Sequence, residues 1–276
     1  MKNDNRTLAQ VREHYEIEKE LANKLRNASA QERRYLYTSL YNELFRRVPL
    51  HPQVTQKSSP EKKAELVSKQ MQFVRGFLRK DLTFLEIGPG DCALSFEIAR
   101  QVKQVIAIDV SDEITKSLTG PPNFRLVISD GNSVPLPRNS VDLAYSNQLM
   151  EHLHPDDAFE QLENIYEALI PGGAYICITP NRLSGPHDVS KYFDQAATGF
   201  HLKEYTTTEL GSLFRKVGFS RVKVYIGSKG IYMRFPMFAI VLLETLLDKL
   251  PFAIKSAIGR HLPVRALLGI KLVGVK

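Results

Sequence analysis

Residues 82–93 read LTFLEIGPGDCA, and LSFEIARQV follows at 94–102. A short apolar run enters a glycine-rich turn, and the turn opens into a helix-like stretch. Gly88, Gly90 and Ala93 fit the GxGxxG/A spacing, in which the glycines let the backbone turn tightly and approach a ligand closely. Such a turn between strand and helix is usually built for a nucleotide. The competing reading is a tight turn that binds nothing.

Residues 82–227 continue as they begin. LTFLEI, QVIAIDV, FRLVIS, VDLAYS, GAYICIT and RVKVYIG read as strands, separated by helical stretches such as DDAFEQLENIYEAL and TTTELGSLFRKV. Alternation of this kind predicts a doubly wound α/β sheet with parallel strands and crossover helices. Residues 1–80 carry helical periodicity and form an N-terminal extension, with a Pro- and Ser-containing loop at 48–62. Residues 81–276 form the main domain, with an apolar helical insert at about 236–262 before a last strand near 267–275.

Two acidic residues refine the nucleotide. Asp109 ends the second strand about 20 residues after the turn, where a carboxylate accepts both ribose hydroxyls. Glu86 lies at the mouth of the first strand, where a dinucleotide would put its pyrophosphate, and like charges so close are costly. A ligand with an ammonium and no phosphate suits Glu86 better. Asp130 and Gly131 follow the third strand; they read equally as an acceptor for an exocyclic amine and as a plain Asp-Gly turn.

FLEIGPGD, VIAIDVS, ISDGNSVPLPRNSVDLAYSNQLMEHL and LIPGGAYICITPN follow one another at spacings that resemble class I S-adenosylmethionine-dependent methyltransferases of the type 11 or type 23 kind. The resemblance covers roughly residues 80–227. It implies a Rossmann-like seven-stranded sheet whose last strand is antiparallel, and S-adenosyl-L-methionine as cofactor. It places Glu86, Gly88 and Gly90 at the methionine part, Asp109 at the ribose, Val110 beside the adenine, Asp130 and Gly131 at the adenine edge, and Asn147 near the methyl. Cys92 departs from the pattern where many members carry glycine.

The acceptor is expected after the fourth and fifth strands, because open α/β sheets bind ligands at strand carboxyl ends. Glu151 and His152 follow the fourth strand. The long segment after the fifth holds His187, Asp188, His201, Glu204 and Tyr205. His187 beside Asp188, or His201, reads as a base for a hydroxyl acceptor; the alternative is that these histidines pin the loop. His51 and Lys57 are further candidates for the cofactor mouth, and Tyr35, Tyr37 and Tyr41 form a helical stripe that reads as packing. No HxxxH or paired-carboxylate spacing signals a metal.

The acceptor is expected to be a small molecule, a glycan or a lipid-linked group, methylated at oxygen. The net charge of +7 permits nucleic acid, but no base-flipping motif or RNA-binding module accompanies it. A nucleic-acid methyltransferase and an NAD(P)-dependent oxidoreductase are the alternatives; Glu86 and the Pro-Gly-Gly turn at 171–173 disfavour the second. Two cysteines, Cys92 and Cys177, and a polar N-terminus fit a cytoplasmic protein. The apolar run 235–254 is too short and too charged for a membrane span. Apolar faces with basic flanks make 236–262 a candidate for peripheral membrane contact or a homodimer, beside plain core packing.

Overall fold

The computed structural model describes residues 6–52, 60–111, 119–228 and 230–276. The expected parallel strands form where the apolar runs predicted them: β1 (Thr83–Ile87), β2 (Gln104–Asp109), β3 (Phe124–Ile128), β4 (Val141–Asn147) and β5 (Leu169–Thr179). β1, β2 and β4 are buried along nearly their whole length, which is why their sequences read as continuous apolar runs rather than alternating ones. β6 (Arg221–Ser228), β7 (Ile231–Phe235) and β8 (Ile270–Val275) complete the sheet, in the order β3-β2-β1-β4-β5-β8-β6-β7. The order reverses between β1 and β4, so the crevice at a topological switch point lies above the carboxyl ends of these two strands.

The sheet has eight strands, one more than expected. β7 folds back on β6 as an antiparallel edge hairpin, and its pattern of exposed and half-buried residues gives it no strong apolar period. β8 is the antiparallel last strand, inserted between β5 and β6. It begins at Ile270 rather than 267, because the insert runs longer than the expected 236–262: α7 (Met237–Asp248), α8 (Phe252–Arg260) and α9 (Leu262–Leu268) fill the whole space between β7 and β8. Phe238, Leu242 and Leu246 lie on the outward face of α7. No described helix is long and apolar enough to cross a membrane.

The remaining helices are α1 (Leu8–Asn27), α2 (Ala30–Arg47), α3 (Pro60–Val74), α4 (Ala93–Ala99), α5 (Pro155–Ala168) and α6 (Thr207–Val217). Thr7 and Ser29 start α1 and α2 with capping boxes, each side chain accepting from the backbone three residues on while that residue reaches back. α1 and α2 pack over the carboxyl ends of the strands, where Thr38 reaches the Val110 carbonyl and Tyr37 lies against Gly131, whereas α3 packs on α4 and the β6–β7 edge.

A buried ion pair fastens α1 and α2, called the lid below. Arg33 on α2 donates Nε–H and Nη2–H to the two oxygens of Asp157 on α5, both at 2.6 Å. Tyr37, one turn on, donates its hydroxyl to Asp157 Oδ2 and accepts from the backbone N–H of His154. Burial pushes Asp157 up, yet the Arg33 and Tyr37 hydrogen bonds outweigh it and hold the carboxyl below its usual range. Removing one partner strands the other charge in the interior, at a cost of about 3–5 kcal/mol. Asp157→Ala is therefore expected to lower the unfolding free energy by about 3 kcal/mol in urea titration; a change below about 1 kcal/mol would show that the pair does not carry the lid.

Candidate functional site

The turn after β1 is held open by its glycines. Gly88 and Gly90 sit at φ of 68° and 59°, a region where a side chain is strained. Gly88 N–H donates to Ile108 O, and Gly90 N–H donates to Asp109 Oδ2 at 3.2 Å. The Asp109 carboxylate thus ties the β1 turn to the end of β2, while its Oδ1 accepts from the Val110 N–H. Cys92 adopts the same left-handed conformation at φ 56°, so the departure from glycine is accommodated without changing the turn.

Glu86 closes the floor of this mouth. It is buried, and Ser95 at the start of α4 donates a 2.6 Å hydrogen bond to it. Burial pushes its carboxyl up to about 7, assisted by the charges of Asp91 and Asp109. A carboxylate held here at the edge of ionisation is suited to an incoming ammonium and hostile to a phosphate.

Asp130 lies where expected but turns inward. Its Oδ1 accepts from the backbone N–H groups of Asn132 and Ser133, its Oδ2 accepts from Ser133 Oγ, and Arg34 lies 3.7 Å away. The Asp-Gly turn is real, and a ligand amine would share Oδ2. Gly131 (φ 94°) lies under the lid: a Cβ there would meet the Tyr37 ring at 3.1 Å and Val110 at 3.4 Å. Thr38 on the same helix donates to the Val110 carbonyl. Tyr37 therefore walls the Gly131 turn, a place that its helical stripe alone does not reveal. Asn147 ends β4 half-buried, and Gln148 next to it takes φ 56° without being glycine. Residues held in this strained region cluster at functional sites.

The segment after β5 is closed at its neck by a bridge between Asn181 and Tyr205, with Arg182 N–H donating to Tyr205 O. Glu244, which interrupts the apolar run of α7, is buried and accepts from Asn181 Nδ2 and from the backbone N–H groups of Thr207 and Thr208 at the start of α6. The insert thereby braces both ends of the loop.

Within the loop the three candidate residues take different parts. His187 Nε2 faces the Asn181 carbonyl and Ser184 Oγ, and Asp188 accepts from Ser190 and Gly199. His187 and Asp188 are not paired with each other, since each is spent on the loop's own backbone. His201 is different. Its Nδ1 lies 2.7 Å from Glu204 Oε1, and the ring packs edge-on against His152 at 4.8 Å between centroids. Burial pushes His201 down, but the Glu204 hydrogen bond and the charges of Glu151, Glu204 and Asp188 outweigh it and raise its proton affinity above the ordinary value. Glu151 is fully buried and pushed by burial up to about 7; His152 is pushed by burial down to about 3.

α1 and α2 complete the enclosure. Tyr41 stacks on Phe200 at 4.8 Å and meets His152 edge-on. Glu18 accepts from His14, from His51 and from the Phe200 N–H. His51 thus belongs to the lid's own network rather than to the cofactor mouth, and Lys57 lies outside the described residues. Arg26 donates to the carbonyls of Thr198, Gly199 and His201. Two groups of side chains result at the carboxyl edge of the sheet: the glycine-and-carboxylate mouth over β1 and β2, and a buried histidine-rich cluster, called the chamber below, beyond β4 and β5.

Residues 85–177 match a family model described as a methyltransferase domain. A "probable S-adenosylmethionine-dependent methyltransferase" of Mycolicibacterium smegmatis is 33% identical over 137 residues, which cover 49% of this chain and 51% of that one. The chain spans about half the length of this relative. Among solved structures, a SAM-dependent methyltransferase from Archaeoglobus fulgidus aligns with a TM-score of 0.53 at 17% identity, covering 80% of this chain and 96% of that one. The Haemonchus contortus phosphoethanolamine N-methyltransferase 2, solved with phosphomonomethylethanolamine and S-adenosylhomocysteine, aligns with a TM-score of 0.50 at 18% identity, covering 75% and 52%. At these identities the solved structures establish the fold.

Glu86 also fixes a pH dependence. The folded protein binds its proton more tightly than the unfolded chain does, so its contribution to stability is full below about pH 4.5 and is lost as the pH rises through about 7. Between pH 5.5 and 8, the unfolding free energy of the wild type is expected to fall more steeply than that of Glu86→Gln. Parallel slopes in chemical denaturation would contradict the raised value.

Proposed function

We propose that this chain, a class I S-adenosylmethionine-dependent methyltransferase by its fold, its glycine-and-carboxylate mouth and its relatives, methylates an oxygen of a small-molecule, glycan or lipid-linked acceptor held in the histidine-rich chamber. The observation that carries this reading is that Glu86 and Asp109 end β1 and β2 while Glu151 and His152 follow β4, so both groups sit at the carboxyl edge of one sheet on either side of its switch point. A mouth with a buried carboxylate and a ribose-binding acid opens beside a chamber lined by Glu151, His152, His201 and Tyr41.

The residues fit the cofactor. Glu86 offers its carboxylate to the ammonium of the methionine part, Asp109 faces the ribose, and the positive-φ glycines leave room that a Cβ at Gly88 would fill against Leu149 at 3.1 Å. When bound, S-adenosylmethionine supplies a methyl group on a cationic sulfur that departs as a neutral thioether. The chain's part is then alignment and exclusion of water, because a good leaving group needs little chemical help. Asn147 and the strained Gln148 border the methyl end. The lid closes the chamber, and the Glu151–His152–His201 cluster holds and polarises the acceptor oxygen.

The test has two arms. Calorimetry is expected to show stoichiometric S-adenosylmethionine binding, weakened at least tenfold by Asp109→Ala, about the 1.4 kcal/mol that one charged hydrogen bond contributes. Incubation of the protein and labelled donor with lipid, glycan and small-molecule fractions is expected to label one of these and to leave RNA unlabelled. Absence of binding, with Asp109→Ala indistinguishable from wild type, sinks the methyl-donor reading; label in RNA sinks the acceptor class.

A further inference from the structure

We propose that Glu151, His152 and His201 form a binding site for one divalent transition-metal ion beside the acceptor. One ligand atom from each residue lies within 4.8 Å of the others. Their existing hydrogen bonds show which atoms keep a lone pair for a metal. The Phe200 carbonyl can only accept, so His152 donates Nδ1–H to it at 3.0 Å and keeps its lone pair on Nε2. The Glu204 carboxylate accepts Nδ1–H from His201 at 2.7 Å, and Nε2 is again the outward atom. Glu151 Oε2 accepts from Thr179 Oγ1 at 2.8 Å, while Oε1 is buried without a hydrogen-bond partner among the described residues. A buried carboxylate oxygen left unpaired is costly.

Metal-bound histidines characteristically give their other N–H to a carboxylate or a carbonyl, and both forms occur here. Two imidazoles and one carboxylate suit Zn²⁺, Fe²⁺ or Co²⁺ better than Mg²⁺ or Ca²⁺. Tetrahedral ligand atoms at about 2.1 Å from zinc stand about 3.4 Å apart, so small side-chain rotations close the set. A second cluster, His14, Glu18 and His51, has the same composition and the opposite wiring. Arg6 donates to His14 Nδ1, so Nε2 carries the N–H that goes to Glu18, and His51 Nε2 also donates to Glu18. Protons, not lone pairs, point at its centre.

The use of the metal rests on the methyl-transfer reading: three protein ligands leave a position for the acceptor oxygen, which a cation polarises as a Lewis acid. Its presence does not rest on that reading and is measured separately. Metal-stripped full chain, dialysed against micromolar Zn²⁺, is expected to retain one equivalent, and Co²⁺ in its place to give a visible ligand-field spectrum. Glu151→Gln and His201→Gln are expected to weaken retention at least tenfold, while Glu18→Gln retains the ion. Circular dichroism and the thermal midpoint of the same variants show that they are folded. Substoichiometric metal in the wild type, retention unchanged in Glu151→Gln, or loss in Glu18→Gln overturns the site. Metal retained without donor binding upholds the site while overturning the methyl-transfer reading.

A separate observation concerns the insert. Phe238, Leu242 and Leu246 are 76%, 59% and 57% exposed at four-residue spacing on α7, and the exposed Lys249 continues that stripe. Ile231 and Met233 of β7 and Ile254 of α8 are exposed as well. Residues 230–276 hold seven Lys and Arg against two Asp and Glu; Lys276 folds back onto Asn139 and Tyr166 and Lys271 is half-buried, while Arg234, Lys249, Arg260 and Arg265 are exposed. Of the two acids, Glu244 is buried and Asp248 is paired with Arg182 and Lys255. We infer that this face docks on an anionic lipid surface; a second copy would set one cationic patch against another. The protein is expected to co-sediment with phosphatidylglycerol-containing vesicles but not with pure phosphatidylcholine. The double variant Phe238→Ser/Leu242→Ser is expected to lose that binding with its thermal midpoint retained. Equal binding to both vesicle types, binding to neither, or a dimer that the double variant dissociates overturns the docking.

Discussion

The Arg33–Asp157 pair is the constraint on which the two compartments depend. A parallel sheet ends in a row of open strand termini, and this protein covers them with a pair of helices whose apolar residues join the core of the sheet. Two charges removed from water are a burden unless their geometry is complete. Here it is: the guanidinium meets both carboxylate oxygens, and Tyr37 supplies a third donor. The same Tyr37 ring lies over Gly131, and the same helix carries Thr38 to Val110 and Tyr41 to Phe200. One clamp thus sets the wall over the Gly131 turn and the cover of the histidine cluster together.

The division between compartments explains what relatives reveal. The matched methyltransferase domain stops at Cys177, two residues before β5 ends. The histidine cluster draws on both sides of that boundary: Glu151 and His152 lie within the matched stretch, while His201, α1, α2 and the loop closed by Asn181 and Tyr205 lie outside it. Similarity within 85–177 therefore speaks to the methyl donor. His201 and the helices that cover the cluster lie beyond the family match, so their chemistry is read from the side chains themselves.

Much of the fold was legible because buried parallel strands leave continuous apolar runs and glycine marks its turns. The mouth was legible for the same local reason, since Glu86, Gly88, Gly90 and Asp109 all lie at strand ends within 25 residues. β7 was not legible: an edge strand with exposed Ile231 and Met233 carries no burial pattern. The chamber was only partly legible. Glu151 and His152 are adjacent in sequence, but His201 joins them across about fifty residues, and no spacing signals it. The neighbouring His187 and Asp188 look like an oriented base in sequence, yet their side chains bond the backbone and serines of the loop rather than each other. Glu244 reads as a blemish in an apolar helix and is in fact the brace between the insert and α6.

The central claim is that the mouth and the chamber are two halves of one transfer site. A crystal structure of the full chain with S-adenosylhomocysteine tests it most directly. The account predicts the amino group within hydrogen-bonding distance of Glu86, the ribose on Asp109, the adenine between Val110 and Gly131, and the sulfur turned toward Glu151 and His201. A ligand bound elsewhere, or a sulfur directed away from that cluster, would contradict it.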